Sequence, residues 1–133
     1  GGFTLAAAEL VGPEGRVYAV DRHPLAIRFV QRAAERKGYR NIETVAGSDT
    51  TAIADAAVDI VLLYDMLHHL PQPARALREL HRILKPNGML SVSDHRLVEP
   101  VLLAMVADAG LFRFVGRGRW TCRFEPVPAG EAA

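Results

Sequence analysis

The apolar positions of this chain switch between a helical period and a strand period, and the order of the switches predicts an architecture. "TLAAAELV", Thr4 to Val11, holds strong helix formers that Gly12-Pro13 and Glu14-Gly15 end in a turn. "RVYAVD", 16–21, reads as a strand. Pro24 suits the first turn of the next helix, whose apolar stripe is Leu25, Ala26, Phe29, Val30, Ala33 and Ala34, set against Arg28, Arg32, Glu35 and Arg36; Gly38 closes it. "IETVAGSD", 42–49, alternates as a strand, and a short helix is expected over 51–57. "VDIVLLYD", 58–65, is almost continuously apolar, as a strand covered on both faces should be.

Pro71 and Pro73 open another helix, with Leu77, Leu80 and Leu84 inward and Arg75, Arg78, Glu79 and Arg82 outward. "KPNG", 85–88, is a turn by composition, and "MLSVSDH", 89–95, is the fourth strand. A helix near Val101 to Ala109, stopped by Gly110, precedes two alternating runs either side of Gly116-Arg117-Gly118, which predict an antiparallel hairpin. Strands alternating with helices give an α/β fold: an open, Rossmann-like, mostly parallel sheet with helices on both faces and the hairpin at its edge. Residues 1–127 are expected to form one domain, with a frayed tail over 128–133.

Composition narrows the function classes. A chain of 133 residues is the size of one domain, and 16 Lys plus Arg against 15 Asp plus Glu gives a net charge of +1. That balance offers no global field for nucleic acid or an anionic membrane, so a charged ligand must be held locally. The single cysteine, Cys122, excludes an internal disulfide and a multi-cysteine zinc site, which suits a reducing, cytoplasmic setting. No stretch reaches the length of a membrane span.

Ligands of open α/β sheets bind beyond the carboxyl ends of the strands. Four of those ends carry an aspartate: Asp21, Asp49, Asp65 and Asp94. Each can be read as a helix cap. At Asp21 the Pro24 helix start moves the cap toward His23, which frees the carboxylate for a ligand. The opening Gly1-Gly2, running straight into a helix, looks like the end of a glycine-rich loop whose preceding strand is missing. A glycine turn followed about twenty residues later by a strand-ending acid is how such folds hold the hydroxyls of an adenosine ribose. His68 and His69, in the turn after the third strand, can be turn-packing residues, a general base or, less readily, metal ligands. Arg113, Arg117, Arg119 and Arg123 read as a solvated edge or as an attractor for an acidic substrate. Trp120 and Phe124 read as core.

These residues resemble the class I S-adenosylmethionine-dependent methyltransferases, especially the ubiquinone and menaquinone biosynthesis type. The resemblance rests on "GGFTLAAAEL", "GRVYAVDRHPLAIRFVQ", "VDIVLLYDMLHHLPQPARALRELHRILKPNGMLSVSD" and the closing hairpin. It implies S-adenosylmethionine as cofactor and a small-molecule methyl acceptor, while charge and composition lead us to expect no nucleic acid partner and no metal. It also implies that Gly1 and Gly2 approach the methionine portion and that Asp21 holds the ribose, with Arg22 and His23 beside the adenine. Ser48 and Asp49 would meet the adenine edge, and Tyr64 and Asp65 the methionyl end. The family's strand order, 3-2-1-4-5-7-6, would put the missing strand between 16–21 and 58–65, so the chain by itself is expected to be unstable. Two rivals remain open from the residues: a nicotinamide-dependent oxidoreductase, which shares the glycine turn and the acid, and a truncated, non-catalytic interaction module.

Overall fold

The computed structural model describes residues 2–21, 23–46 and 53–128, which fall into two compact units, Gly1–Ala52 and Ile53–Ala133. The first holds α1 (Gly2–Val11), β1 (Val17–Asp21), α2 (Pro24–Lys37) and β2 (Ile42–Ala46). β1 and β2 pair in parallel from Val17 opposite Ile42 to Asp21 opposite Ala46. Helix α1 starts two residues before the apolar pattern does.

Asn41 organises this unit. Its buried amide donates to the Ala8 and Gly12 carbonyls, each at 2.8 Å, which satisfies oxygens that the end of α1 leaves without helical partners. Its backbone carbonyl accepts the Val17 N–H at 2.8 Å and so starts the β1–β2 ladder. α2 begins as the sequence implies: Pro24 occupies its first turn and His23 is the extended N-cap residue, with no side-chain cap bond. It ends at Gly38, whose φ of 73° lets the chain reverse while Gly38 and Tyr39 N–H groups bond back to the Glu35 and Ala34 carbonyls. The buried face of α2 is narrower than its apolar stripe. Val30, Ala33 and Ala34 are buried, whereas Leu25 and Phe29 are exposed.

The second unit holds β3 (Val58–Tyr64), a 3₁₀ turn (Leu67–His69), α3 (Pro73–Ile83), β4 (Leu84–Ser93), α4 (Glu99–Ala107), β5 (Phe112–Arg117) and β6 (Cys122–Pro126). Its sheet runs β3-β4-β6-β5, with β3 and β4 parallel and β6 antiparallel to both neighbours. With β1 counted as the second strand of the resembled fold, the two sheets have the orders 3-2 and 4-5-7-6. Among the described residues no strand bonds to both β1 and β3.

Several boundaries depart from the sequence reading. Residues 53–57 form a turn rather than the end of a helix, with Ala56 at φ 49°, while 51 and 52 lie outside the described residues. "KPNG" lies inside β4: the register steps from Val58–Leu84 to Ile60–Met89, so 85–88 is an excursion within the strand. Gly88 is needed there, since a Cβ would come within 2.9 Å of the Asp59 and Lys85 carbonyl oxygens. The hairpin turns at 118–121, closed by the Gly118 N–H on the Thr121 carbonyl at 2.9 Å, and Gly116 instead marks a register shift inside β5. Leu84 is the first residue of β4, not the last of α3, yet it is buried as its apolar character requires. Trp120 is not core; it is 77% exposed at the hairpin tip.

The core of this unit is Leu63, Leu67, Leu77, Leu84, Leu90, Val92, Leu102, Val106, Phe112, Cys122 and Phe124. β4 and β6 lie inside the sheet order, so their side chains supply its centre. Burial pushes the Cys122 thiol up from its ordinary value, away from the reactive thiolate.

Candidate active site

β3 and β4 run parallel, so both deliver their C-terminal ends to one rim, each ending next to an aspartate. The Asp65 N–H bonds to the Ser93 carbonyl at 2.7 Å, one step past the paired residues, and its backbone turns to φ 55°. Asp94 leaves β4 one residue after Ser93.

Each aspartate is held from the other strand's loop. Asp94 accepts the His68 backbone N–H at 3.0 Å and, on both carboxylate oxygens, the His68 Nδ1–H at 2.8 Å, with the Arg96 N–H adding a bond at 2.9 Å. Asp65 accepts the His95 N–H at 2.9 Å and the His95 Nδ1–H at 2.7 Å. The two dyads differ in burial. The Asp94 side chain is fully buried and that of His68 is 14% exposed, against 54% and 66% for Asp65 and His95.

With Nδ1 donating to Asp94, the neutral His68 ring presents Nε2 as a lone-pair acceptor, the tautomer a general base requires. His69 is exposed, and its ring lies 3.9 Å from that of His68, centroid to centroid. The His95 ring meets His68 edge-on at 5.8 Å. One ligand atom each from Asp65, Asp94 and His95 lies within 4.8 Å of the others, the spacing of a small-cation site. Both carboxylates also accept hydrogen bonds from histidine rings.

Burial alone would raise the Asp94 carboxyl, but the His68 ring, the His68 N–H and the Arg96 N–H together hold it below the ordinary carboxylate range. The His95 ring and N–H likewise lower Asp65, against desolvation and the neighbouring Asp94 charge. A depressed carboxylate contributes stability that is fully present above its unfolded value, about 3.9, and is lost as pH falls through the folded value. Asp94→Asn is therefore expected to be less stable than the parent near neutrality, with the gap closing below about pH 4. Urea unfolding of both proteins across that range measures this, and a gap that does not change with pH would refute it.

Of the other expected site residues, Asp21 ends β1 and its Oδ1 accepts the His23 N–H at 2.9 Å. It makes no cap bond to α2, as the Pro24 argument required. Gly2 is the first residue of α1. Tyr64 turns its hydroxyl to Ser91 Oγ at 2.9 Å, between the strands. Gly1, Arg22, Ser48 and Asp49 lie outside the described residues. Sequence reasoning counted Asp94 as a strand end without giving it a role, and missed His95. The signal was present: "YDMLHH" and "SDH" end adjacent strands, so each aspartate faces the other segment's histidine.

Residues 1–92 match a family described as a methyltransferase domain. A demethylmenaquinone methyltransferase of Geobacillus stearothermophilus is 31% identical over 88 residues, which is 65% of this chain and 38% of the relative. A ubiquinone/menaquinone biosynthesis C-methyltransferase of Hydrogenovibrio crunogenus is 30% identical over 110 residues, 81% of this chain and 43% of the relative. The chain thus spans less than half the length of these curated relatives. An S-adenosylmethionine-dependent methyltransferase structure from Aquifex aeolicus superposes with a TM-score of 0.77 over 94% of this chain and 76% of that one, at 22% identity. That likeness is one of fold. The match over residues 1–92 shows that this chain belongs to the methyltransferase-domain family, and its fold is that of the class I S-adenosylmethionine-dependent enzymes.

Proposed function

We propose that the protein transfers a methyl group from S-adenosylmethionine to a small-molecule acceptor, and that His68 and Asp94 handle the acceptor's proton. The observation that carries this reading is the reversed strand β6, seated between β4 and β5. Dinucleotide-binding sheets of the Rossmann type continue in parallel, 3-2-1-4-5-6, and so argue against the oxidoreductase alternative.

S-adenosylmethionine, when bound, brings a methyl group already activated on a sulfonium, so the protein's work is positioning and proton removal. His68 Nε2 accepts the proton of an acceptor hydroxyl or acidic carbon. The buried Asp94 carboxylate fixes the ring and stabilises the imidazolium that forms. Asp21 suits the ribose: an acceptor-only carboxylate at a strand end, oriented by the His23 N–H and spared from capping. The quinone-type relatives make an aromatic ring bearing a hydroxyl the first acceptor class to try. Calorimetric titration with S-adenosylmethionine and with NAD tests the reading: binding of the first alone is expected, and binding of NAD alone would overturn it.

A second measurement isolates Asp21. Asp21→Ala is expected to cost about 1.5 to 3 kcal/mol of S-adenosylmethionine affinity, the scale of hydrogen bonds to a charged acceptor. Unchanged affinity would overturn the assignment of Asp21 to the ribose.

A further inference from the structure

The hairpin turn between β5 and β6 projects apolar and cationic side chains that the methyl-transfer reading does not use. Trp120 is 77% exposed, and its ring lies 5.2 Å from the Arg119 guanidinium carbon. An exposed tryptophan of this kind is costly to leave in water.

The register fixes where this tip lies. Cys122 at the start of β6 pairs with Val92 near the end of β4, so the turn at 118–121 extends beyond the same end of the sheet that carries Asp94 and His95. The Arg117–Glu99 ion pair joins the last residue of β5 to the first of α4, which brings in Val98, 68% exposed. Arg117 and Arg113 are paired with Glu99 and Glu125. Arg96 and Arg119 are exposed and have no acidic partner among the described residues. Two cations without an acidic partner among the described residues therefore flank two exposed apolar side chains, on a rim that also carries the Asp65–His95 pair.

The shape separates the candidate occupants. A four-residue turn is convex, whereas small ligands are held in concave sites that bury most of their surface. A stable protein interface needs about 800 Å² per partner, far more than one tryptophan and one valine supply. A lipid headgroup layer needs little: an aromatic side chain to insert at the boundary and cations to meet anionic headgroups.

We propose that Trp120 and Val98, flanked by Arg119 and Arg96, contact an anionic lipid surface and turn the Asp94–His95 rim of this unit toward it. The proposal goes beyond methyl transfer and does not depend on it.

Trp120 is the protein's sole tryptophan and reports on its own environment. With vesicles of phosphatidylglycerol and phosphatidylcholine, its emission is expected to move to shorter wavelength and the protein to sediment with the vesicles. Both effects should weaken in high salt and be absent with phosphatidylcholine alone. Arg119→Gln should lower vesicle affinity about fivefold, and Trp120→Ala, followed by sedimentation, about tenfold or more. Both side chains are exposed, so neither change threatens folding. Unshifted emission with the protein left in the supernatant would overturn the proposal, as would undiminished binding by Trp120→Ala. A shift produced by a soluble aromatic carboxylate such as benzoate, but not by vesicles, would reassign the tip to the methyl acceptor and also overturn it. Vesicle binding is read without cofactor, so its failure leaves the methyltransferase reading intact, and the failure of that reading leaves this test unaffected.

Discussion

Replacing His68 by Gln is expected to lower methyl transfer about a hundredfold or more while S-adenosylmethionine affinity stays nearly constant, the signature of a lost proton acceptor rather than a lost binding contact. Adjacent histidines in a turn do not by themselves distinguish a base from a packing residue. The proposal for His68 rests on the surroundings of the two rings. His68 has its Nδ1 on a carboxylate that is fully buried, which leaves Nε2 as the only ring nitrogen able to accept a proton, whereas His69 is exposed. His69→Gln should accordingly stay within a few-fold of the parent. Asp94→Asn should fall between the two: an amide can donate to Nδ1 and select the wrong tautomer, and it cannot stabilise the imidazolium. Single-turnover rates measured beside calorimetric cofactor affinities separate these cases. Near-normal turnover in His68→Gln would leave both histidines as turn residues and return the proton to solvent or to the acceptor's own acidity.

The parts of this arrangement that were legible in the sequence share a physical cause. Periodicity reports which face of an element is buried, so the helices from Pro24 and Pro73 and the alternation of β5 and β6 were visible, whereas β3, read as covered on both faces, leaves Ile60 and Leu62 exposed. Proline and glycine fix backbone angles locally, which is why His23 could be assigned as the N-cap residue of α2 in place of Asp21. What failed depended on tertiary register. "KPNG" has turn chemistry, but whether those residues connect two elements or bulge within one strand is decided by what β3 presents across the ladder. Gly116-Arg117-Gly118 offered two glycines, one used for a shift in β5 and the other for the turn. Trp120 alternates with Phe124 as a core residue would, yet it lies in the turn, where alternation no longer specifies a face. The His–Asp exchange between loops required knowing that β3 and β4 are neighbours, which no single segment encodes.

The largest expected loss of stability comes from Phe124→Ala, at about 3 to 5 kcal/mol. Phe124 is fully buried on β6, opposite Leu90 of β4 and Phe114 of β5, and its ring meets that of Phe114 edge-on at 5.8 Å. It therefore fills the join between the parallel and antiparallel parts of the sheet, where a truncation to alanine removes contacts to both neighbours at once. Strands on either side are hydrogen-bonded through their backbones and cannot close the space without breaking the ladder, so the cavity term adds to the transfer term. β3 bonds to β4 alone among the described residues, so its other edge contributes no ladder bonds to the second unit. The core must then supply a larger share of a total that for typical domains is about 5 to 15 kcal/mol. Urea unfolding of Phe124→Ala, Phe124→Leu and Trp120→Ala measures this. The alanine variant should lose about 3 to 5 kcal/mol of unfolding free energy, the leucine variant about 1 to 1.5 kcal/mol because most of the volume is kept, and the exposed Trp120→Ala should stay within about 0.5 kcal/mol of the parent. A Phe124→Ala variant within about 1 kcal/mol of the parent would show that the sheet can collapse around the missing ring, and that the β4-β6-β5 core does not hold this unit together.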